Sequence, residues 1–230
     1  GRWLVIIYFT GTDSNDLWFY DLDDWRKNGA LVRQNLLVGK DARTIGFIEG
    51  GTFYAETTLD ASNKRVLAFD LDSDDPSDYR EIIPARQGAV ITGISSAPKQ
   101  IVVEYLANAY SIIEVFNLAG EHLMQIELPN IGSASMLTNP KSEIAWLGFE
   151  SFAEPESIYR VNLVDGSTTL WRRPEPSMDT SDLIVKQVFF NSLDGTQVPM
   201  FLIHQKDIEM DGENPTVLYG YGGFDISLTP

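Results

Sequence analysis

The sequence contains no cysteine, only two histidines, and about half as many basic residues as acidic ones. The absence of cysteine excludes disulfides, zinc–thiolate sites and a cysteine nucleophile. Seventeen basic against 33 acidic residues leave a formal charge of −16, which opposes binding to nucleic acid and to anionic membrane surfaces. No run reaches the roughly 18 apolar residues of a membrane helix. We therefore expect no nucleic-acid or membrane partner. A chain without cysteine fits a cytoplasmic location, and a periplasmic or secreted one stays open.

An internal repeat runs through the first three quarters of the chain. Four segments share an apolar stretch that closes with Asp or Asn followed by Leu: LWFYDL, VLAFDL, IEVFNL and IYRVNL. Their closing leucines are 49, 47 and 45 residues apart, at positions Leu22, Leu71, Leu118 and Leu163. A period of this length, built from strands, is typical of a β-propeller blade.

Each full repeat contains four short segments of strand composition, separated by Gly, Pro, Ser and Asn clusters. Residues 2–9 match the second strand of the later repeats, so the first repeat lacks its inner strand. We therefore expect a mainly β chain with about four blades of a larger propeller, the first blade incomplete, as part of a longer protein. A complete four-bladed ring is the alternative, although it would leave an unpaired inner edge.

The pattern changes after Trp171. Residues 172–182 contain two prolines and no periodicity, which indicates a linker. Strands are predicted at 183–190 and 197–203, joined by a turn, and a third, buried strand at 216–219 leads into the glycine-rich loop GYGGF at 220–224. This order is how an α/β-hydrolase sheet begins. The expected domains are therefore 1–182, a partial propeller, and 183–230, the first strands of an α/β-hydrolase domain.

Two long motifs carry a resemblance to a known family. The segments KQVFFNSLDGTQVPMFLIH (186–204) and LYGYGGFDISLTP (218–230) resemble the prolyl oligopeptidase family, serine peptidases that cleave short peptides after proline. The continuation GFDIS favours the proline-specific branch over relatives that cut after basic residues. The resemblance implies a seven-bladed propeller over the catalytic domain, short proline-containing peptides as substrates, no metal or organic cofactor, and a monomeric parent protein.

The same resemblance implies roles for residues of the loop. The Tyr221 hydroxyl would stabilise the oxyanion of the tetrahedral intermediate, and Phe224 would line the pocket for the proline ring. Gly220, Gly222 and Gly223 would form the scaffold of the loop, because glycine takes positive φ without a Cβ penalty. The serine, aspartate and histidine of such enzymes lie downstream of this loop.

No Gly-x-Ser-x-Gly occurs in the sequence, and the nearest match, GISSA at 93–97, falls within a predicted blade. His122 and His204 are expected to be ordinary surface or edge residues. These 230 residues should therefore be inactive alone. The alternative is a non-catalytic propeller that binds protein or peptide partners, with residues 183–230 as a degenerate appendage.

An acidic stretch at 70–81 has carboxylates at several positions of a calcium loop. It has Asp where the loop needs Gly, and strands flank it. We expect a solvated turn between strands there, like the acidic DLDD at 21–24, and no metal site.

Overall fold

A computed structural model describes residues 1–73, 75, 78–175, 179–224 and 226–230. It is built almost wholly of antiparallel β-sheets that follow one another along the chain. The first sheet has three strands, β1 (Trp3–Phe9), β2 (Asn15–Asp21) and β3 (Arg33–Asn35), with the short helix α1 (Leu22–Asn28) between the last two. Among these described residues, no helix has the length and apolar character that crossing a membrane requires.

Three four-stranded sheets and one hairpin follow. The second sheet contains β4 (Thr44–Glu49), β5 (Thr52–Thr57), β6 (Arg65–Asp70) and β7 (Tyr79–Ile83). The third contains β8 (Val90–Ala97), β9 (Gln100–Ala107), β10 (Tyr110–Asn117) and β11 (His122–Ile126). The fourth contains β12 (Ser133–Asn139), β13 (Ser142–Ser151), β14 (Glu154–Asn162) and β15 (Thr168–Arg172). The hairpin consists of β16 (Leu183–Asn191) and β17 (Gln197–Gln205). In every sheet, strands that are consecutive in sequence are neighbours.

The sheets confirm the repeat seen in the sequence. The recurring apolar segment forms the third strand of each four-stranded sheet and the second strand, β2, of the first sheet. Strand β1 pairs with β2 as β5 pairs with β6. The first sheet therefore lacks the strand that stands first in the other three.

Three apolar cores lie between successive sheets. Because side chains alternate across a strand, adjacent residues supply different cores: Val102 packs between the third and fourth sheets, and Val103 between the second and third. Both are fully buried. Phe53 and Tyr54 divide in the same way on β5. Burying a side chain of this kind stabilises the fold by about 1.5–3 kcal/mol, so each sheet is stabilised by the sheet or sheets packed against it.

Polar side chains in or beside the β1–β2, β5–β6 and β9–β10 turns connect one sheet to the next. Asn15, 1% exposed, accepts from the Thr44 N–H (2.7 Å) and donates to the Thr44 carbonyl (3.0 Å). Asn63, in the corresponding turn of the second sheet, donates to the loop before the third sheet (2.9 Å). The Ser111 hydroxyl accepts from the Ala134 N–H (2.9 Å). These bonds satisfy backbone groups near the start of the first strand of the following sheet.

The acidic DLDD segment is a helix start, so its interpretation as an inter-strand turn was wrong. Asp21 is the N-cap of α1, and its carboxylate accepts from the N–H groups of Asp23 (2.8 Å) and Asp24 (3.2 Å). Gly29 ends the helix with φ at 75°. Asp is a preferred N-cap, and acidic residues in the first turn interact favourably with the positive end of the helix dipole. Because the repeat predicts strands throughout, these capping residues were not recognised as helix signals in the sequence.

The predicted buried strand at 216–219 is absent, and this expectation was wrong. Residues 215–222 form no ladder. Val217 is 93% exposed, Leu218 84% and Tyr219 76%. A strand needs a hydrogen-bonded neighbour, and the described part of the chain places none beside these residues. Asp225 of the loop motif, Asp74 of the acidic stretch and residues 176–178 of the predicted linker lie outside the described residues.

Candidate active-site loop

The hairpin leads into the loop that sequence reasoning singled out. Strands β16 and β17 pair without interruption from Leu183 opposite Gln205 to Asn191 opposite Gln197. The Ser192 N–H closes their turn on the Thr196 carbonyl (2.8 Å). The chain then runs through polar residues 206–215 to the glycine-rich loop. The predicted hairpin is thereby confirmed.

Among the described residues, contacts from two sides of the C-terminal segment, residues 183–230, join it to the third and fourth sheets. Phe201 packs against Phe152 with ring centroids 5.4 Å apart. Gln187 donates to the Asn108 carbonyl, and the Ser133 hydroxyl donates to the Pro230 carbonyl. Asn108 and Phe152 lie in the turns between second and third strands, and Ser133 begins β12. Since strand directions alternate, all three sites lie at one end of the sheets.

The candidate loop places Tyr221 over its own backbone. Tyr221 is 48% exposed, and a Cβ built on Gly223 would lie 3.5 Å from its hydroxyl oxygen. The Ile226 N–H donates to the Gly223 carbonyl (3.2 Å). The tyrosine hydroxyl therefore sits close to a tight turn, and half of the side chain remains open to solvent.

The conformational reason expected for the glycines was wrong. None of Gly220, Gly222 and Gly223 has a positive φ, and a Cβ on Gly220 or Gly222 would meet nothing within 4 Å. The loop residue in the left-handed region is Phe224, with φ at 57°. The positive φ therefore lies one position after the last glycine of the loop. The scaffold role of the glycines stays a prediction.

Phe224 and Tyr221 have different surroundings. Phe224 is 91% exposed, so the described residues do not enclose it in a pocket for a substrate ring. Its role in binding proline, like the oxyanion role of Tyr221, stays a prediction. The two histidines are placed as expected: His122 begins β11 and packs edge-on against Phe116 (5.3 Å between centroids), and His204 lies near the end of β17.

A half-buried carboxylate between the third and fourth sheets was missed by sequence reasoning. Glu104 projects from β9, and its carboxylate accepts from the Met136 N–H on β12 (2.8 Å). Burial raises the pKa of Glu104, the Met136 N–H opposes the rise, and the charge of Glu56 adds to it. The sequence signal for this buried group is a glutamate within the otherwise apolar run IVVEYLA.

A second buried group adjoins this region. Burial raises the pKa of Tyr105 to about 12, with a further contribution from Glu114 and an opposing one from Arg86. Arg86 pairs with Glu114 (2.9 Å) and lies over the Tyr105 ring (5.6 Å). The charges of Arg86 and Glu114 offset each other beside the Tyr105 ring in the third sheet.

One residue of the acidic stretch, Asp72, forms an ion pair. Arg2 bridges Asp21 (2.7 Å) and Asp72 (2.5 Å), and these bonds raise the pKa of the guanidinium. The bridge ties the first sheet to the turn that follows β6. Within the part of the chain that the structure describes, no three His, Cys, Asp or Glu residues are grouped to hold a metal.

Comparison with known proteins identifies the propeller region. Residues 1–174 match the family described as "Prolyl oligopeptidase, N-terminal beta-propeller domain". The sheets of residues 1–172 are therefore those of a β-propeller domain. The chain belongs to the prolyl oligopeptidase family.

The relatives match over the whole chain. A prolyl endopeptidase of Elizabethkingia meningoseptica is 28% identical over 231 residues, covering 100% of this chain and 32% of the relative. A dual function macrocyclase-peptidase, POPB, of Galerina marginata is 30% identical over 239 residues, covering 100% and 32%. The chain thus spans about a third of the length of these curated relatives.

Solved structures agree with this assignment. A chain from a structural and mechanistic analysis of two prolyl endopeptidases has a TM-score of 0.87 and 31% identity, covering 99% of this chain and 33% of its own length. Prolyl oligopeptidase B from Galerina marginata, without ligand, has a TM-score of 0.85 and 27% identity, covering 100% and 33%. The family match ends at residue 174, and the assignment of residues 183–230 to the start of an α/β-hydrolase domain stays a prediction.

Proposed function

We propose that the natural full-length protein is a serine endopeptidase that hydrolyses short peptides on the carboxyl side of proline. The observation that carries this proposal is the similarity to prolyl endopeptidases along the whole chain, including residues 183–230 beyond the propeller match. In this proposal residues 1–182 supply about four blades of a seven-bladed ring, the first incomplete. Residues 183–230 supply the opening strands of the α/β-hydrolase domain.

Tyr221 is the residue of this chain to which we assign catalytic work. A donor aimed at the developing oxyanion typically accelerates turnover by about 10²–10³-fold. The phenol hydroxyl can donate such a bond, and the half-exposed position of Tyr221 leaves its ring open to a partner. Phe224, almost fully exposed, supplies an apolar surface suited to a proline ring.

The nucleophile is assigned to the remainder of the full-length protein. The sequence holds no Gly-x-Ser-x-Gly turn, the arrangement that presents a serine in α/β-hydrolases. The related GISSA segment lies along β8, where no strand-to-helix turn exists to expose a serine. We therefore expect the 230 residues alone to hydrolyse no peptide.

Tyr221→Phe in the natural full-length polypeptide tests the proposal. The change removes one hydroxyl, so we expect kcat on a proline-containing peptide to fall by about 10²-fold, with an unchanged thermal midpoint. Tyr219→Phe is the matched control, because Tyr219 lies two residues away and is 76% exposed. It should leave kcat within a factor of two or so.

Two outcomes would contradict this assignment. Equal kcat for the Tyr221 and Tyr219 variants would remove Tyr221 from the mechanism. A full-length protein that binds the peptide without cleaving it would favour the non-catalytic binding propeller instead. Labelling of the wild-type protein by a fluorophosphonate separates the two cases, because only an activated serine reacts.

A further inference from the structure

The β16–β17 hairpin is held in the protein by little besides its own ladder. Its strands pair only with each other, and no residue of either strand is buried. A two-stranded hairpin by itself is only marginally stable in water. Within the described part of the chain, the position of the hairpin therefore depends on a few contacts with the propeller sheets.

Two of those contacts come from a single rung of the hairpin ladder. Gln187 on β16 lies directly opposite Phe201 on β17, so both side chains project from the same face of the hairpin. Gln187 donates to the Asn108 carbonyl in the β9–β10 turn. Phe201 packs against Phe152 in the β13–β14 turn, with ring centroids 5.4 Å apart and ring planes tilted by 58°. One rung thus reaches two neighbouring sheets.

The β9–β10 turn presents its acceptor from a strained backbone. Asn108 and Ala109 both have positive φ, at 50° and 63°, as the two central residues of a type I′ turn do. Positive φ is unfavourable for alanine. The strain therefore lies at the point where Gln187 contacts the third sheet, and this is where a binding role is expected.

The β13–β14 turn is fixed independently of the hairpin. The Ser151 hydroxyl accepts from the Glu154 N–H (3.1 Å), which closes the turn around Phe152. The Arg173 guanidinium donates to the Glu154 carboxylate (2.9 Å) and to the Tyr159 hydroxyl (2.8 Å). Tyr159 belongs to the apolar core between the third and fourth sheets, so the arginine ties the turn to that core. A turn fixed in this way loses little conformational entropy when it binds.

The placement of the hairpin is also compatible with a longer polypeptide. The prolyl endopeptidase chain with a TM-score of 0.87 superposes on 99% of this chain, hairpin included, although this chain covers only 33% of it. None of the four residues in the two contacts is a terminal residue. The contacts therefore do not depend on either end of the sequence.

We propose that the Gln187–Phe201 rung is the anchor by which the propeller holds the C-terminal segment, with the β9–β10 and β13–β14 turns as its two-part binding surface. Attachment to two sheets at once resists both sliding and rotation of the hairpin. The aromatic pair supplies most of the binding, and the directional Gln187 bond fixes the orientation. The inference concerns this attachment and does not rest on the peptidase activity proposed above.

Phe152→Ala in the natural full-length polypeptide is the primary test, with hydrogen exchange of the β16 and β17 amides as the readout. The change removes the ring against which Phe201 packs, so the hairpin should open more often and its amides should exchange about 10-fold faster. Leu170→Ala is the control, because Leu170 is 47% exposed on the same sheet and Phe152 is 42% exposed. It should leave hairpin exchange unchanged. Equal exchange in the two variants would overturn the proposal.

Companion variants test the pairing itself. Phe152→Leu keeps an apolar partner for the ring and should restore most of the protection. Phe152→Ala combined with Phe201→Ala should exchange no faster than Phe201→Ala alone, because both changes remove the same contact. Gln187→Ala should speed exchange by a smaller factor, about 3-fold. Independent, multiplying effects of the two phenylalanine changes would contradict the anchor, as would faster exchange that extends equally to β9 and β13.

Arg173→Gln tests whether the fixed turn matters to the anchor. Without the guanidinium, the turn should present Phe152 less well, and hairpin exchange should rise about 3-fold. The same change should add nothing once Phe152→Ala is present, because it acts through that ring. Arg172→Gln, at the exposed preceding residue, is the matched control and should have no effect. A further rise in the Phe152→Ala background would overturn the role given to Arg173.

Failure of the anchor can be told apart from failure of the proposed function. Exchange is measured without substrate, so a full-length protein that cleaves no peptide would refute the peptidase and leave the exchange test intact. An active peptidase with equal hairpin exchange in Phe152→Ala and Leu170→Ala would keep its proposed function and lose the anchor.

Discussion

The sheets of residues 1–172 and the C-terminal segment obtain their structure in different ways. In the sheets, the side chains of Leu147 and Phe149 are 0% exposed, enclosed by strands of the neighbouring sheet. In the segment, Val217 and Leu218 are at least 84% exposed, although they are equally apolar. The difference shows that hydrophobic composition marks residues for burial, but a neighbouring layer has to be present to bury them.

Replacing a leucine in each region is the strongest way to test this contrast. Leu147→Ala should lower the free energy of unfolding by about 2–5 kcal/mol, because it leaves a cavity between the third and fourth sheets. Leu218→Ala, 84% exposed, should change it by less than about 0.5 kcal/mol. Urea unfolding followed by far-UV circular dichroism measures both. Similar losses for the two variants would mean that residues 216–219 are buried in solution.

A buried and a partly exposed asparagine should show the same contrast on a smaller scale. Asn15→Ala removes both side-chain bonds to the Thr44 backbone and leaves buried polar groups without partners, at a cost of about 1–3 kcal/mol. Asn214→Ala, in the polar connection after β17, should cost less than about 0.5 kcal/mol. The same unfolding assay applies. An Asn15 variant as stable as wild type would show that water replaces the link between the first and second sheets.

The smallest expected effect is at Glu104, where the substitution should raise the free energy of unfolding instead of lowering it. Burial raises the pKa of Glu104 above its ordinary value of 4.5, so the fold favours the protonated form. The stability that this preference contributes is present below pH 4.5 and is lost as the pH rises through the folded-state pKa. Glu104→Gln should therefore increase stability at pH 7, since the amide oxygen can still accept from Met136.

The advantage of Glu104→Gln should shrink as the pH falls through the raised folded-state pKa and should be lost below pH 4.5, where the wild-type carboxyl is protonated in the folded and the unfolded state. Unfolding midpoints measured between pH 3 and 7 would show this trend. Glu150→Gln, at an exposed position on β13, is the matched control variant. A Glu104 variant that is less stable at pH 7 than at pH 3, relative to wild type, would reverse the assigned sign.

The sequence predicted most of the strands correctly, but it predicted neither helix α1 nor the absence of a strand at 216–219. The recurring segments ending at Leu71, Leu118 and Leu163 correspond to the third strands of their sheets, because an apolar stretch closed by Asp or Asn and its regular recurrence are local properties of the sequence. Helix α1 was missed, although Asp21 and Gly29 are ordinary cap residues, because the repeat favoured strands throughout. The strand at 216–219 was predicted from apolar composition, and its absence follows from a missing partner strand.

At the candidate loop the motif was found and its geometry was not. The motif around Tyr221 was recognisable in the sequence, and the similarity to prolyl endopeptidases extends over this part of the chain. The positive φ fell on Phe224 instead of a glycine. The link from Ser133 to Pro230 joins residues 97 positions apart. No local pattern encodes such a distant bond.

The sequence by itself determined the period of the sheets, the four strand segments of each full repeat, and the family, because each depends on neighbouring residues or on a contiguous motif. Only the tertiary structure decided which sheet each strand face packs against, that Glu104 is half buried between two sheets, and where the Tyr221 loop meets the fourth sheet. These features depend on which residues distant in sequence become neighbours in space, and the free energy of packing and desolvation arises from those neighbours.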